Sequence, residues 1–221
     1  MPLIFDTPPA EVRETLNSAL PRLSPRISES GATPGTPLGR AALLDRAPFI
    51  ARALEAFLRG GPDQGPVAVP VHFIGLDSLA SGDENFRGTV RRSSPQLWTN
   101  LLTDESGRLA ALADVNPTSR TLAALSEGPS ILAMGAQLEN LTAEEHDSPD
   151  RSVAMLRIPA LHLSAIWLKG ADPDQQDIVI PSPGPIQPLK AGQRYTMAEF
   201  LAIVRPMAAD RIRQTQETSG G

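Results

Sequence analysis

The sequence contains no cysteine. That excludes disulfides, thiolate nucleophiles and cysteine-ligated zinc. A chain of 221 residues has no need of such staples, because at this length roughly 70% of the unfolded surface is buried on folding. Aromatic residues are scarce, at 4%, which argues against a surface built to stack bases. Lysine is almost missing: Lys169 and Lys190 are the only two. Arginine carries the rest of the basic charge. With abundant alanine, proline and glycine, this composition suggests a GC-rich bacterial genome. No apolar run reaches the roughly 20 uninterrupted residues of a membrane helix, since Arg157, Pro159 and His162 break the best candidate. The opening MPLIFDTPPAEV has neither a basic start nor a long apolar core, so no secretory signal is read there and a cytoplasmic location is the default. The net charge of -5, spread in both signs along the chain, favours solubility and gives no general attraction to nucleic acid.

What the sequence does have is the stretch Ser152–Leu168, SVAMLRIPALHLSAIWL, in which nearly every position can be buried. Pro159 splits it into two arms. Beyond the proline, Leu161, Leu163, Ala165 and Trp167 face one way and His162, Ser164 and Ile166 the other. With the β-rich Asp177–Ile180 it forms the expected central hairpin of a sheet, covered on both faces. Further strands are expected at Val67–Leu76, where Pro70 marks an edge or bulge, and at Leu97–Leu102. A turn at Asp104–Gly107 then returns the chain as Leu109–Val115, for which a helix is the rival because alanine and leucine favour one. Ile131–Leu138 alternates like a strand.

Helices are expected from Thr7 to Pro21, from Thr36 to Gly60 with a bend at Pro48, and from Asn116 to Ser126. Another follows the capping box Thr196–Glu199, with Pro206 kinking or ending it. Thr142 and Glu145 have the same box spacing. Residues 21–37 read as a Pro/Ser/Gly-rich linker, Pro181–Pro188 as extended polyproline-like chain, and Arg211–Gly221 as a frayed tail. The resulting class is α+β: a mostly antiparallel sheet with helices from both chain ends packed on it. The organisation is an N-terminal helix and arm over 1–37, a single domain over 38–210 and a tail over 211–221.

Chemistry is thinly signalled. His72, His146 and His162 lack metal-ligand spacing. The acidic knot Glu144, Glu145, His146, Asp147 and Asp150 lacks the glycine turn and ordered spacing of a calcium loop, so no metal and no cofactor is assigned. Asp77 and Ser78 lie near His72 in sequence, but no Gly-x-Ser-x-Gly elbow accompanies them. The better candidate is the polar loop 77–94. Its Asp77, Arg87, Arg91, Arg92 and Ser93 combine guanidinium forks with a hydroxyl, a set that suits phosphate or carboxylate. The preceding GPVAVPVHFIG resembles the first strands of flavin-binding split barrels over about a dozen residues, but the strands after it do not follow that pattern. The Asn140-Leu141-Thr142 sequon is read as chance without a secretion signal, and Trp98 and Trp167 as core.

The expected function is a non-enzymatic binding or assembly protein, self-associating or holding a protein partner through the N-terminal arm and an apolar sheet edge. Removal of Met1–Pro34 should then reduce oligomer mass or partner binding and leave the body folded. The alternative is an enzyme or sensor for a small anionic or phosphorylated ligand, flavin among them, held at loop 77–94. Neither reading involves nucleic acid or membrane.

Overall fold

The computed structural model describes residues 3–29, 48–60, 66–81, 90, 95–144, 150–171, 175–183 and 188–219. These residues hold five α-helices and nine strands whose pairings are mostly antiparallel, so the protein is α+β. In chain order the elements are β1 (Ile4–Phe5), α1 (Ala10–Glu29), α2 (Pro48–Gly60), β2 (Val67–Phe73), α3 (Leu76–Ala80), β3 (Leu97–Thr103), β4 (Leu109–Asn116), β5 (Thr121–Ser126), α4 (Pro129–Glu144), β6 (Arg151–Ile158), β7 (Leu163–Gly170), β8 (Ile178–Pro181), β9 (Tyr195–Thr196) and α5 (Met197–Ser219). The chain divides into two compact units. One contains Met1–Asp6, Pro70–Gln96 and Asn140–Gly221; the other contains Thr7–Val69 and Leu97–Glu139.

The first unit is built on β6 and β7, which pair antiparallel from Arg151↔Gly170 to Ile158↔Leu163. The apolar stretch is thus a hairpin in itself, its two arms forming separate strands instead of the single strand expected. Pro159 is the reason: it opens a 3-10 turn, Pro159–Leu161, and His162 closes it in the left-handed region at φ 50°. His162 is therefore an exposed turn residue, not a strand residue. β8 adds antiparallel to β7, and β9 to β8. Along the other side of β6 run β1 and then β2, both parallel to it.

Alternation along these strands buries two sets of side chains. Ala154, Leu156, Ile158, Leu163, Ala165, Trp167 and Val179 form a core with Phe200, Leu201, Val204 and Ala208 of α5. The alternate residues Val153, Met155, Ile166, Leu168 and Ile180 are buried as well, as expected of a ribbon covered on both faces. The capping box at the start of α5 is present: the Glu199 N–H donates to Thr196 Oγ1 at 3.2 Å, and the Thr196 N–H to Glu199 Oε2 at 2.8 Å. The bond from the Thr196 backbone first, and then a side-chain hydrogen bond from Thr196, hold the Glu199 carboxyl below its usual pKa.

The second unit pairs β3 with β4 and β4 with β5, all antiparallel. Leu109–Val115 is thus a strand, and the helical rival loses to cross-strand pairing. Helices α1 and α2 pack on these strands. Val12, Leu16 and Leu20 of α1 and Ala53 and Leu54 of α2 meet Trp98, Leu102, Ala111, Ala113 and Val115 in one core. Two buried polar side chains on β3 are satisfied across the ladder. The Thr99 hydroxyl donates to Asp114 Oδ1 at 2.5 Å, and Asn100 Nδ2 donates to the Ala113 carbonyl at 3.0 Å. Burial demands such pairing.

Several expectations are overturned. Pro21 does not end α1, which runs to Glu29, so the first half of the supposed linker is helix. Asn116 caps no helix: its Oδ1 accepts the N–H groups of Thr118 and Ser119 in a turn, and Thr121–Ser126 returns as β5. Ile131–Leu138 belongs to α4. The Gly128-Pro129 pair is its start, with the Gly128 carbonyl accepting from Ile131 and Leu132. Thr142 consequently lies in the last turn of α4, and Glu145 lies outside the described residues. Helix α5 passes through Pro206 and continues over Arg211–Ser219, where a tail was expected.

Candidate functional site

Of the residues proposed for anion binding, Asp77 alone is described. It lies exposed in the first turn of the short helix α3, whose Ser81 N–H donates to the Asp77 carbonyl at 2.9 Å. Arg87, Arg91, Arg92 and Ser93 lie outside the described residues, as do His146, Asp147 and the linker residues 30–37. Ser78 is exposed on α3, while His72 is buried on β2, so no nucleophile–base pair forms. Among the described residues no group of three or more His, Asp and Glu can hold a metal ion, and no helix is long and apolar enough to cross a membrane.

His72 instead joins a packed cluster. Its ring meets the Trp167 ring edge-on, with centroids 5.4 Å apart. The Lys169 ammonium lies 5.7 Å from the Trp167 centroid and 3.3 Å from Asp6 Oδ2. Burial, then the Lys169 charge, lower the His72 pKa to about 4, against a smaller opposing pull from Asp6. At neutral pH the enclosed ring is therefore uncharged.

The richer geometry lies in the second unit, where α2 and α4 approach the β3–β4 hairpin. The hairpin turn is held by one carboxylate. Asp104 Oδ1 accepts from the Ser106 N–H at 2.9 Å, the Ser106 hydroxyl at 2.6 Å and the Arg108 N–H at 3.1 Å. The Ser106 hydroxyl is the largest of the influences that hold its pKa below the usual carboxylate range. Gly107 makes the turn possible at φ 79°, a conformation that a side chain resists.

Beside this turn lies a cavity of about 330 Å³, lined by Phe49, Leu109, Leu132 and Gly135, with Arg52, Arg108 and Glu139 also on its wall. Gly135 allows α4 to come this close, since a Cβ there would lie 2.7 Å from the Leu109 Cβ. A second hollow shares Arg52, Asp104 and Arg108 and adds Glu55, Glu105 and Ser106. The start of α2 is itself fixed by a distant carboxylate, with the Ile50 N–H donating to Glu127 Oε2 at 2.6 Å. Arg59 bridges Glu55 and Glu105 on the exposed side.

The sequence reading missed Arg52, Arg108 and Glu139 because they come from three elements far apart in the chain. The one available signal was the Asp-Glu-Ser-Gly turn, which fixes where Arg108 emerges.

The remaining feature is the edge strand β5. Among the described residues it pairs with β4 alone. Its sequence TLAALS has no charge and no proline, and Thr121, Ala123 and Ala124 are exposed. The register with β4 slips between Asp114 and Val115, leaving Ala123 as the extra residue of a bulge. No protein-family model, curated protein or solved structure matches this chain.

Proposed function

We propose that the protein is a non-enzymatic assembly protein that pairs with a second copy of itself through the open edge of β5. The observation that carries this reading is the chemistry of that edge. An unpaired strand presents a row of backbone N–H and C=O groups, and soluble proteins usually blunt such a row with lysine, proline or an inward charge. Six residues without any of these are suited to strand addition, in which main-chain bonds supply affinity and alternate side chains supply fit. Two copies related by a two-fold axis present the same edge to each other, so the contact closes at a dimer. The Ala123 bulge twists one part of the strand and limits the pairing to a short register, which opposes open-ended stacking.

The test is the solution mass of wild type and of Ala123→Lys/Ala124→Lys, two exposed positions that leave the core intact. The wild type should be dimeric by light scattering, and the variant monomeric with an unchanged far-UV spectrum. A wild type that stays monomeric, or a variant that stays dimeric, overturns the reading.

A further inference from the structure

The cavity between α2, β4 and α4 carries an inference independent of the β5 edge. Its floor is apolar, formed by Phe49, Leu109, Ala110 and Leu132. Its wall holds charges of both signs, and their commitments differ. Asp104 is engaged by the hairpin turn through three hydrogen bonds. Arg108 gives only its Nε, to Ser106 Oγ at 3.1 Å, so both terminal nitrogens of its fork are uncommitted among the described residues. Arg52 and Glu139 have no polar partner among the described residues and are exposed. The cavity thus offers two guanidinium groups, the Glu139 carboxylate and the turn-held Asp104 carboxylate around an apolar chamber of about 330 Å³, a size suited to a small molecule.

We infer that this cavity binds a free α-amino acid with an apolar side chain, held as its zwitterion. The ligand carboxylate is taken by Arg52 and Arg108, since a planar fork donates to both oxygens at once. The ligand ammonium is taken by Glu139. The side chain enters the chamber against Phe49, Leu109 and Leu132. Two guanidinium forks act on the ligand carboxylate and one carboxylate on its ammonium, so the carboxylate end is the anchor and Glu139 provides selection for the amine.

The probes are leucine, its deaminated analogue 4-methylpentanoate, leucinamide and glycine, titrated calorimetrically into the full chain. Leucine should bind most tightly. Leucinamide, which lacks the carboxylate, and glycine, which lacks the side chain, should each lose about tenfold or more in affinity. Arg52→Gln with Arg108→Gln should cost leucine at least the same factor. Glu139→Gln should abolish the preference for leucine over 4-methylpentanoate. All three positions are on the surface, and circular dichroism checks that the variants fold. The inference is overturned if leucine does not bind at millimolar concentration, if it binds the arginine double variant as tightly as wild type, or if 4-methylpentanoate matches leucine on the wild type.

Discussion

His72 shows how one buried titratable group writes itself into the stability of the fold. Its folded pKa, about 4, lies below the unfolded value near 6.5. As the pH falls through this interval the unfolded chain takes up the proton first, so the folded state loses ground. Stability is fully present above about pH 6.5, declines towards pH 4, and levels off once both states are protonated; the loss is bounded at roughly 3 kcal/mol. In denaturant titrations across that range, His72→Phe should show a flatter pH dependence than wild type while keeping an aromatic edge on Trp167. Parallel curves would show that the imidazole does not carry the effect. None of this was legible in the sequence, which placed His72 on the correct strand but could not foresee that Trp167, Lys169 and Asp6 would close around it. The same limit hid the charges on the α2–β4–α4 cavity. Residue types are visible in a sequence; their convergence from separate segments is not.

Among elements, α4 and β5 show where local pattern and tertiary structure part. Leu132, Met134, Ala136 and Leu138 alternate, but Met134, Leu138 and Leu141 are also spaced as one helical face, and a short window fits both periods. The structure buries Met134 and Leu141, which is the helical choice. Asn116-Pro117 has the chemistry of a helix start, yet the same side-chain acceptor serves a turn equally well, and pairing with β4 decides between them. The extended segments of β6 and β7, though not the turn between them, and the capping box of α5 were legible in outline, while the β3–β4 hairpin stood beside a helical rival for its second strand. Gly135 tests the α4 assignment directly. Its absent side chain is what lets α4 lie on Leu109, so Gly135→Ala should push the helix outward and lower stability by about 1–3 kcal/mol in chemical denaturation. An unchanged midpoint would mean that the helix shifts freely at that point.

For the whole molecule the central revision concerns the N-terminus. The sequence suggested a detachable helix on a proline-rich arm, but Val12, Leu16 and Leu20 are all 1% exposed or less within the core of the second unit. Exposing three such side chains forfeits about 1.5–3 kcal/mol each, which rivals the entire stability of an ordinary domain. Deletion of residues 1–29 should therefore unfold the second unit instead of leaving a folded body, and Leu16→Ala alone should cost about 2–5 kcal/mol. Amide hydrogen exchange over β3–β5 checks both. Retained protection in the deletion would restore the arm to an appendage.

The chain passes from one unit to the other after Asp6, Val69, Gln96 and Glu139. During translation this imposes a schedule. The second unit is fully emerged from the ribosome once Glu139 clears the exit tunnel, whereas the first still waits for β6 through α5. For that interval the nascent chain holds β2 without its β6 partner, so that side of the strand must be kept from neighbouring polysomes until β6 has been translated.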